Sequence, residues 1–270
     1  MNKKSSFYLL AISFVSTIGG FLFGYDTAII SGCNSFLESQ YNLTASMLGW
    51  VVSSALLGTI LGCIISGRVT DLYGRKKTLI LAAGCLTISA FGSMLPPQFL
   101  GDLNSSLWIT SSLDSSFLTL IVVRIIGGIG VGITSVVAPI YISELTMPEK
   151  RGKMVSLYQL SITLGILLAF LVDWLVLNQA GEKAGIITGT DVGLWDWLFV
   201  EELWRGMFGT EIPIAVLFLV LLMFVPESPR WQVVNGKEKE ALATMSRLGD
   251  LEMAKSQLAE MKEATIQETQ

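Results

Sequence analysis

Residues 117–142 read FLTLIVVRIIGGIGVGITSVVAPIYI, an apolar run broken by one charge, Arg124, and by glycines between Gly127 and Gly132. At 1.5 Å per helical residue it spans roughly 39 Å, more than the ~30 Å of a bilayer's hydrocarbon core. Backbone amides in lipid find no water, so a run this long satisfies them as a membrane helix.

Working outward, five more runs share this character, at about 7–32, 47–67, 78–95, 154–177 and 206–225. Each is near the ~20 residues that a spanning helix needs. Hydrophobic residues make up 51% of the 270 and charged ones 15%, against about 25% charged in soluble domains. Mean hydropathy is +0.61. The expected fold is therefore all-α integral membrane, with six transmembrane helices. The first run reads as a permanent span: it is long, it holds Asp26, and no small-residue cleavage site bounds it.

Lysine and arginine set the orientation. Lys3 and Lys4 precede the first run. Arg68, Arg75, Lys76 and Lys77 follow the second, and Lys150, Arg151 and Lys153 follow the fourth. Arg230 and later basic residues follow the sixth. The alternate connections carry only Lys183 and Arg205. The positive-inside rule puts both termini in the cytoplasm and turns the loops 96–116 and 178–203 outward. Trp108, Trp195, Trp197, Trp204 and Trp231 sit near run ends, where indoles favour the membrane interface. Residues 235–264 suggest one or two amphipathic cytoplasmic helices, which divides the chain into a bundle over 1–231 and a helical segment over 232–270.

Several functions are disfavoured. With no histidine, the chain has no Ser-His-Asp triad and no His-based metal site. Cys33, Cys63 and Cys85 lack CxxC spacing. Gly127–Gly132 has no preceding strand, so it does not read as a dinucleotide fingerprint. Neither an enzyme nor a cofactor nor a nucleic-acid partner is expected.

The chain hints at two halves of three helices. Gly19, Gly20 and Gly24 interrupt helix 1, and Gly127, Gly128, Gly130 and Gly132 interrupt helix 4. Such a matched pair points either to a transporter's substrate pathway or to close helix packing. The intramembrane charges Asp26, Arg124 and Glu211 are the sharper signal, because a lone charge at a helix centre costs at least ~2.5–3.5 kcal/mol. Counting rise from each helix centre puts Asp26 ~6 Å, Arg124 ~9 Å and Glu211 ~7–8 Å outward. Two acids and one base at one level are the arrangement a proton-coupling site needs, with a static ion pair that ties helices together as the alternative. At the cytoplasmic ends, Gly67-x3-Asp71-x2-Gly74-Arg75-Lys76 makes a tight turn. Its aspartate can cap a helix start while its arginine reaches neighbouring helix ends. Glu144 with Arg151, and Glu227 with Arg230, occupy similar places. The three acid–base pairs could form a network that holds this face shut.

These residues carry a resemblance. The chain resembles the N-terminal half of a sugar porter of the major facilitator superfamily, close to bacterial xylose–proton symporters. The matching stretches are Gly20-Phe21-Leu22-Phe23-Gly24-Tyr25-Asp26-Thr27, Gly67–Lys76, Arg124–Gly132 and Pro139-Ile-Tyr-Ile-Ser-Glu144. Arg151-Gly152-Lys153, Gln159-Leu160 and Pro226-Glu-Ser-Pro-Arg-Trp231 complete the set. The resemblance implies one bundle built as a 3+3 inverted repeat, in a multi-pass plasma (inner) membrane protein. It implies that a monosaccharide, pentose or hexose, moves with protons. Phe23 and Gln159 would line the sugar site, and Asp26 would take the proton with Arg124 and Glu211 beside it. Facilitative glucose transporters resemble the chain but have an amide at the Asp26 position. Ile166 stands where close xylose symporters have a second amide, which puts xylose itself in question. The family has twelve helices with the site between two bundles, so the partners implied are lipid and either a C-terminal six-helix bundle or a second copy. A non-transporting sugar sensor and a half-size transporter acting as a homodimer are the alternatives.

Overall fold

A computed structural model describes residues 3–95, 115–183, 198–199, 202–248 and 251–269. Its helices are α1 (Lys3–Tyr41), α2 (Ala45–Tyr73), α3 (Arg75–Met94), α4 (Ser115–Leu145) and α5 (Pro148–Lys183). They continue with α6 (Leu203–Gly209), α7 (Ile212–Phe224), α8 (Pro229–Val234), α9 (Glu238–Leu248) and α10 (Leu251–Thr269). Six spans are long and apolar enough to cross a membrane, α6 and α7 together making the sixth. The six apolar runs thus correspond to six helical spans. Trp108, Trp195 and Trp197, and most of the two acidic loops, lie outside the described residues.

Two boundaries differ from the apolar runs for physical reasons. Helix α1 continues past residue 32 to Tyr41 because its polar end meets protein rather than lipid. Gln40 accepts a bond from Trp204 Nε1 (2.5 Å) and donates to Glu202 Oε1 (2.6 Å). The sixth span starts earlier, at Leu203, and is broken at Thr210-Glu211. Pro213, in the first turn of α7, has no N–H to offer the carbonyl four residues back. Trp204 and Trp231 are buried rather than set in an interface belt, and the Trp231 indole donates to the Asp71 carbonyl (2.9 Å).

The packing has an internal symmetry. Helix α1 lies along α5, and α2 lies along α4. Exchanging the first three spans for the last three converts one pair into the other, as the paired glycine pattern suggested. Both seams are backbone against backbone. A Cβ at Gly128 or Gly132 would strike the Ala55 or Thr59 carbonyl, and one at Gly58 or Gly62 would strike those of Ile125 and Ile129. On the other seam, Gly24 abuts the Ile162 carbonyl and Gly165 that of Phe21. Close packing through small residues therefore accounts for these glycines.

Two apolar clusters fill the bundle. One, at the end rich in Lys and Arg, joins Leu9, Ile12, Leu79, Tyr141, Met154 and Phe218. The other, at the opposite end, joins Tyr25, Ile29, Leu37, Phe117, Trp204 and Phe208. Outside, Leu56, Ile60 and Ile64 of α2 and Leu164, Leu167 and Phe170 of α5 stand exposed. Only hydrocarbon or another apolar bundle accommodates such a surface. Beyond the sixth span, α9 buries Ala241, Thr244, Met245 and Leu248 along one face, and Leu248 joins the first cluster. This is the amphipathic spacing read from residues 235–264.

Gly128→Val should lower the unfolding free energy by at least ~1–3 kcal/mol, the range for overpacking a tight seam. Gly84→Ala, where an added Cβ meets nothing within 4 Å, should leave it unchanged or raise it by up to ~1 kcal/mol. Chemical unfolding of the purified chain in mixed micelles, followed by circular dichroism, makes the comparison.

Candidate proton and sugar site

The middle of the bundle brings three charges together. Asp26 lies on α1, Arg124 on α4, and Glu211 at the break between α6 and α7. All three are buried, at 4%, 2% and 2% exposure. Arg124 Nη1 donates to Asp26 Oδ1 at 2.5 Å. The arginine's Cζ lies 5.2 Å from the centre of the Phe208 ring, one turn before Glu211. The Tyr25 and Thr210 hydroxyls, each next in sequence to one of the acids, bond at 2.5 Å. Glu211 thus comes within electrostatic reach of both Asp26 and Arg124, without an ion pair to the arginine inside 4 Å. Arg124 Nε is buried with no hydrogen-bond partner among the described residues. The levels computed from helix rise brought these three residues together, and the structure places them in one cluster.

The residues expected to line a sugar site sit along the α1–α5 seam. Phe23 is half-buried against the first apolar cluster. Gln159 is exposed, and its amide has no hydrogen-bond partner among the described residues. Their turns run side by side, because Gly20 meets Tyr158 and Ser161 while Gly24 meets Ile162. Thr27 and Thr163 are exposed one turn further on, and Ile166 is half-buried. A bundle surface that offers an unpaired amide and two hydroxyls beside an aromatic ring can take a polyhydroxylated ligand.

At the basic end the expected side chains assemble with different partners. Arg75 Nη2 donates to Glu144 Oε1 (2.9 Å), and Glu144 Oε2 accepts from Ser228 Oγ (2.5 Å). Asp71 does not cap α3. It is 80% exposed and reaches Arg75 only at 4.0 Å. The cap comes from Glu227, whose Oε1 accepts from the backbone N–H of Lys76 (3.0 Å) and of Ser228 (2.8 Å). The reason is steric. Gly74 turns with φ 91° just before α3, and Glu227 occupies the space a Cβ would need there. Arg151 does not pair with Glu144. Its Nε donates to the Ser143 and Thr146 carbonyls (3.0 and 3.1 Å), near the C-terminal end of α4. Arg230 is exposed beside Pro229 and Trp231 in the first turn of α8.

Comparison with known proteins decides the frame. The model of the sugar (and other) transporter family matches residues 12–270. The chain belongs to the sugar transporter family. Over 238 residues it is 40% identical to a glucose transport protein of Synechocystis, covering 88% of this chain and 45% of that protein. It is 36% identical over 271 residues to a D-xylose-proton symporter of Escherichia coli, covering 97% and 52%. A solved structure of a major facilitator proton:xylose symporter bound to 6-bromo-6-deoxy-D-glucose superposes with a TM-score of 0.81. That match has 34% identity and covers 97% of this chain and 54% of the other. The chain thus spans about half the length of the curated relatives it matches. It is a multi-pass membrane protein with a major-facilitator-type helical bundle, and its family is one of transporters rather than enzymes.

Within this family frame, sequence reading missed four participants. The bond between Tyr25 and Thr210 was not legible because hydroxyl pairing across 185 positions leaves no local trace. Ser228 shares that difficulty. Asp173, a further buried acid in α5, was legible as a charge inside an apolar run.

At the basic end, Glu227→Gln should cost about 1.5–3 kcal/mol of stability, the worth of hydrogen bonds to a charged group. Asp71→Asn should change it by less than ~0.5 kcal/mol, as for an exposed side chain. Parallel unfolding curves of the two variants test this assignment of the cap.

Proposed function

We propose that the chain forms the N-terminal half of a sugar:proton symporter of the plasma membrane, both termini cytoplasmic, with residues 232–270 leading to a second bundle. The observation that carries the reading is the buried Arg124–Asp26 pair with Glu211 beside it. Arginine stays protonated in proteins, so the exchangeable proton belongs to a carboxylate. The ion pair needs an ionised Asp26, and a proton placed on that carboxylate removes the pair that ties α1 to α4. The unpartnered Nε of Arg124 is then the donor that a shifted Glu211 takes. Protonation and helix movement are linked through that exchange, because an equilibrium shifts only by differential affinity.

The sugar site is the exposed face with Phe23 and Gln159, closed by a second bundle that rocks against this one. Its amide and hydroxyls fit a neutral monosaccharide, pentose or hexose. Arg124 is matched by its own acids and makes a poor anchor for an anion. The Arg75–Glu144–Ser228 and Glu227–Lys76 bonds hold the cytoplasmic face shut in one state.

In a completed two-bundle protein, Asp26→Asn should abolish gradient-driven sugar accumulation while counterflow persists, and Arg124→Ala should damage both. Uptake and counterflow of labelled sugar in vesicles read the difference. Accumulation by Asp26→Asn against a sugar gradient would make the ion pair a structural one.

The chain reconstituted alone in liposomes should show no saturable sugar uptake. Saturable uptake of labelled pentoses or hexoses by this chain would favour a homodimer. In the two-bundle protein aldoses should compete and carboxylates should not.

A further inference from the structure

A third acid lies deep in this bundle and takes no part in the cluster described above. Asp173 is on α5 and only 5% exposed. Both of its carboxylate oxygens are buried without a hydrogen-bond partner among the described residues. The side chain is pressed against α1, at a point where a Cβ on Gly32 would strike the carboxylate. The Gly32 backbone faces it but offers no bond of sound geometry. The α1–α5 seam is therefore closed over the carboxyl group by backbone, and glycine is what lets the helix come so near.

The neighbours from each packed element are few. From α1 come Tyr25 and Cys33, both within electrostatic reach. From α4 the nearest cation is Arg124, which bonds Asp26 instead. From α6 the charged residue is Arg205, held by Glu202 (3.0 Å) and by the Leu95 carbonyl (2.6 Å). Among the described residues nothing supplies a counter-ion to Asp173.

We infer that Asp173 is a proton-binding site in its own right, neutral while α1 and α5 are packed and separate from Asp26. An ionised carboxylate without partner or water costs far more than a neutral one, so such a group takes a proton rather than remain charged. Gly32 lies six residues beyond Asp26, roughly 9 Å along α1 towards the end away from the Lys- and Arg-rich connections. Tyr25 is within electrostatic reach of both Asp173 and Glu211. Its hydroxyl bonds that of Thr210, the neighbour of Glu211. A proton released from Asp173 as the seam opens has this pair of hydroxyls on its way to the central cluster. Only that last step rests on the symport reading; the protonation of Asp173 does not.

The test is infrared spectroscopy of the purified chain in phosphatidylcholine bilayers at pH 7. A protonated carboxyl group shows a C=O stretch at higher frequency than an ionised carboxylate. The wild type and Asp26→Asn should both show this band, and Asp173→Asn should lose part of it with unchanged helix content. An identical band in wild type and folded Asp173→Asn would overturn the proposal. If Asp173→Asn does not fold, the Asp26→Asn chain labelled with 13C-carboxyl aspartate decides. A band shifted by the label supports the site, and none at that position overturns it. Failure of proton coupling would show separately, as sugar accumulation by the Asp26→Asn transporter.

Discussion

A guanidinium keeps its charge in any protein environment, and Arg124 is buried in the middle of a bundle that hydrocarbon surrounds. It needs a counter-ion at its own depth, and on one of the helices it touches. That requirement ties α4 to α1 through Asp26 and draws the α6–α7 break, with Glu211, to the same level. Removing one partner of a buried pair is severe, because the remaining charge is left uncompensated. The contact is correspondingly sensitive to the charge of the carboxylate, which a single proton changes.

The glycine seams make that contact attainable. Burying apolar surface against lipid gains little, so helices associate by close packing and by polar bonds. Gly58, Gly62, Gly128 and Gly132 bring α2 and α4 to backbone distance, and Gly24 and Gly165 do so for α1 and α5. The bundle is then fastened at two levels. At the centre an ion pair joins α1 to α4. At the basic end, Glu144 and Glu227 collect donors from α3 and from the approach to α8. Both fastenings rest on carboxylates, the central one on a single ion pair and the basic-end one on bonds shared among several donors.

Much of this was legible in the sequence because the constraints are local. Membrane thickness fixes the length of an apolar run, and the constant rise of a helix turns position into depth. Asp26, Arg124 and Glu211 were placed at one level on that basis, and Arg124 bonds Asp26 with Glu211 in electrostatic reach of both. Pairing between helix ends was not legible. Asp71 looked like the cap of α3 because it lies four residues before its start, yet Glu227 fills the role by accepting from Lys76, 151 residues before it. Arg151 looked like a partner for Glu144, but the nearby carbonyls of α4 claimed it. The break at Thr210-Glu211 was hidden by the uniform hydropathy on both sides, although Pro213 marked it.

A double-mutant cycle on Asp26 and Arg124 tests the central claim most directly. Stabilities of the wild type, Asp26→Ala, Arg124→Ala and the double variant are measured by unfolding in micelles. A buried pair on which the bundle depends predicts single losses of about 3–5 kcal/mol each. It also predicts a coupling of roughly 2 kcal/mol or more, so that the double variant is far less damaged than the sum. Additive losses, with coupling below about 0.5 kcal/mol, would contradict it and leave α1 and α4 held by packing alone.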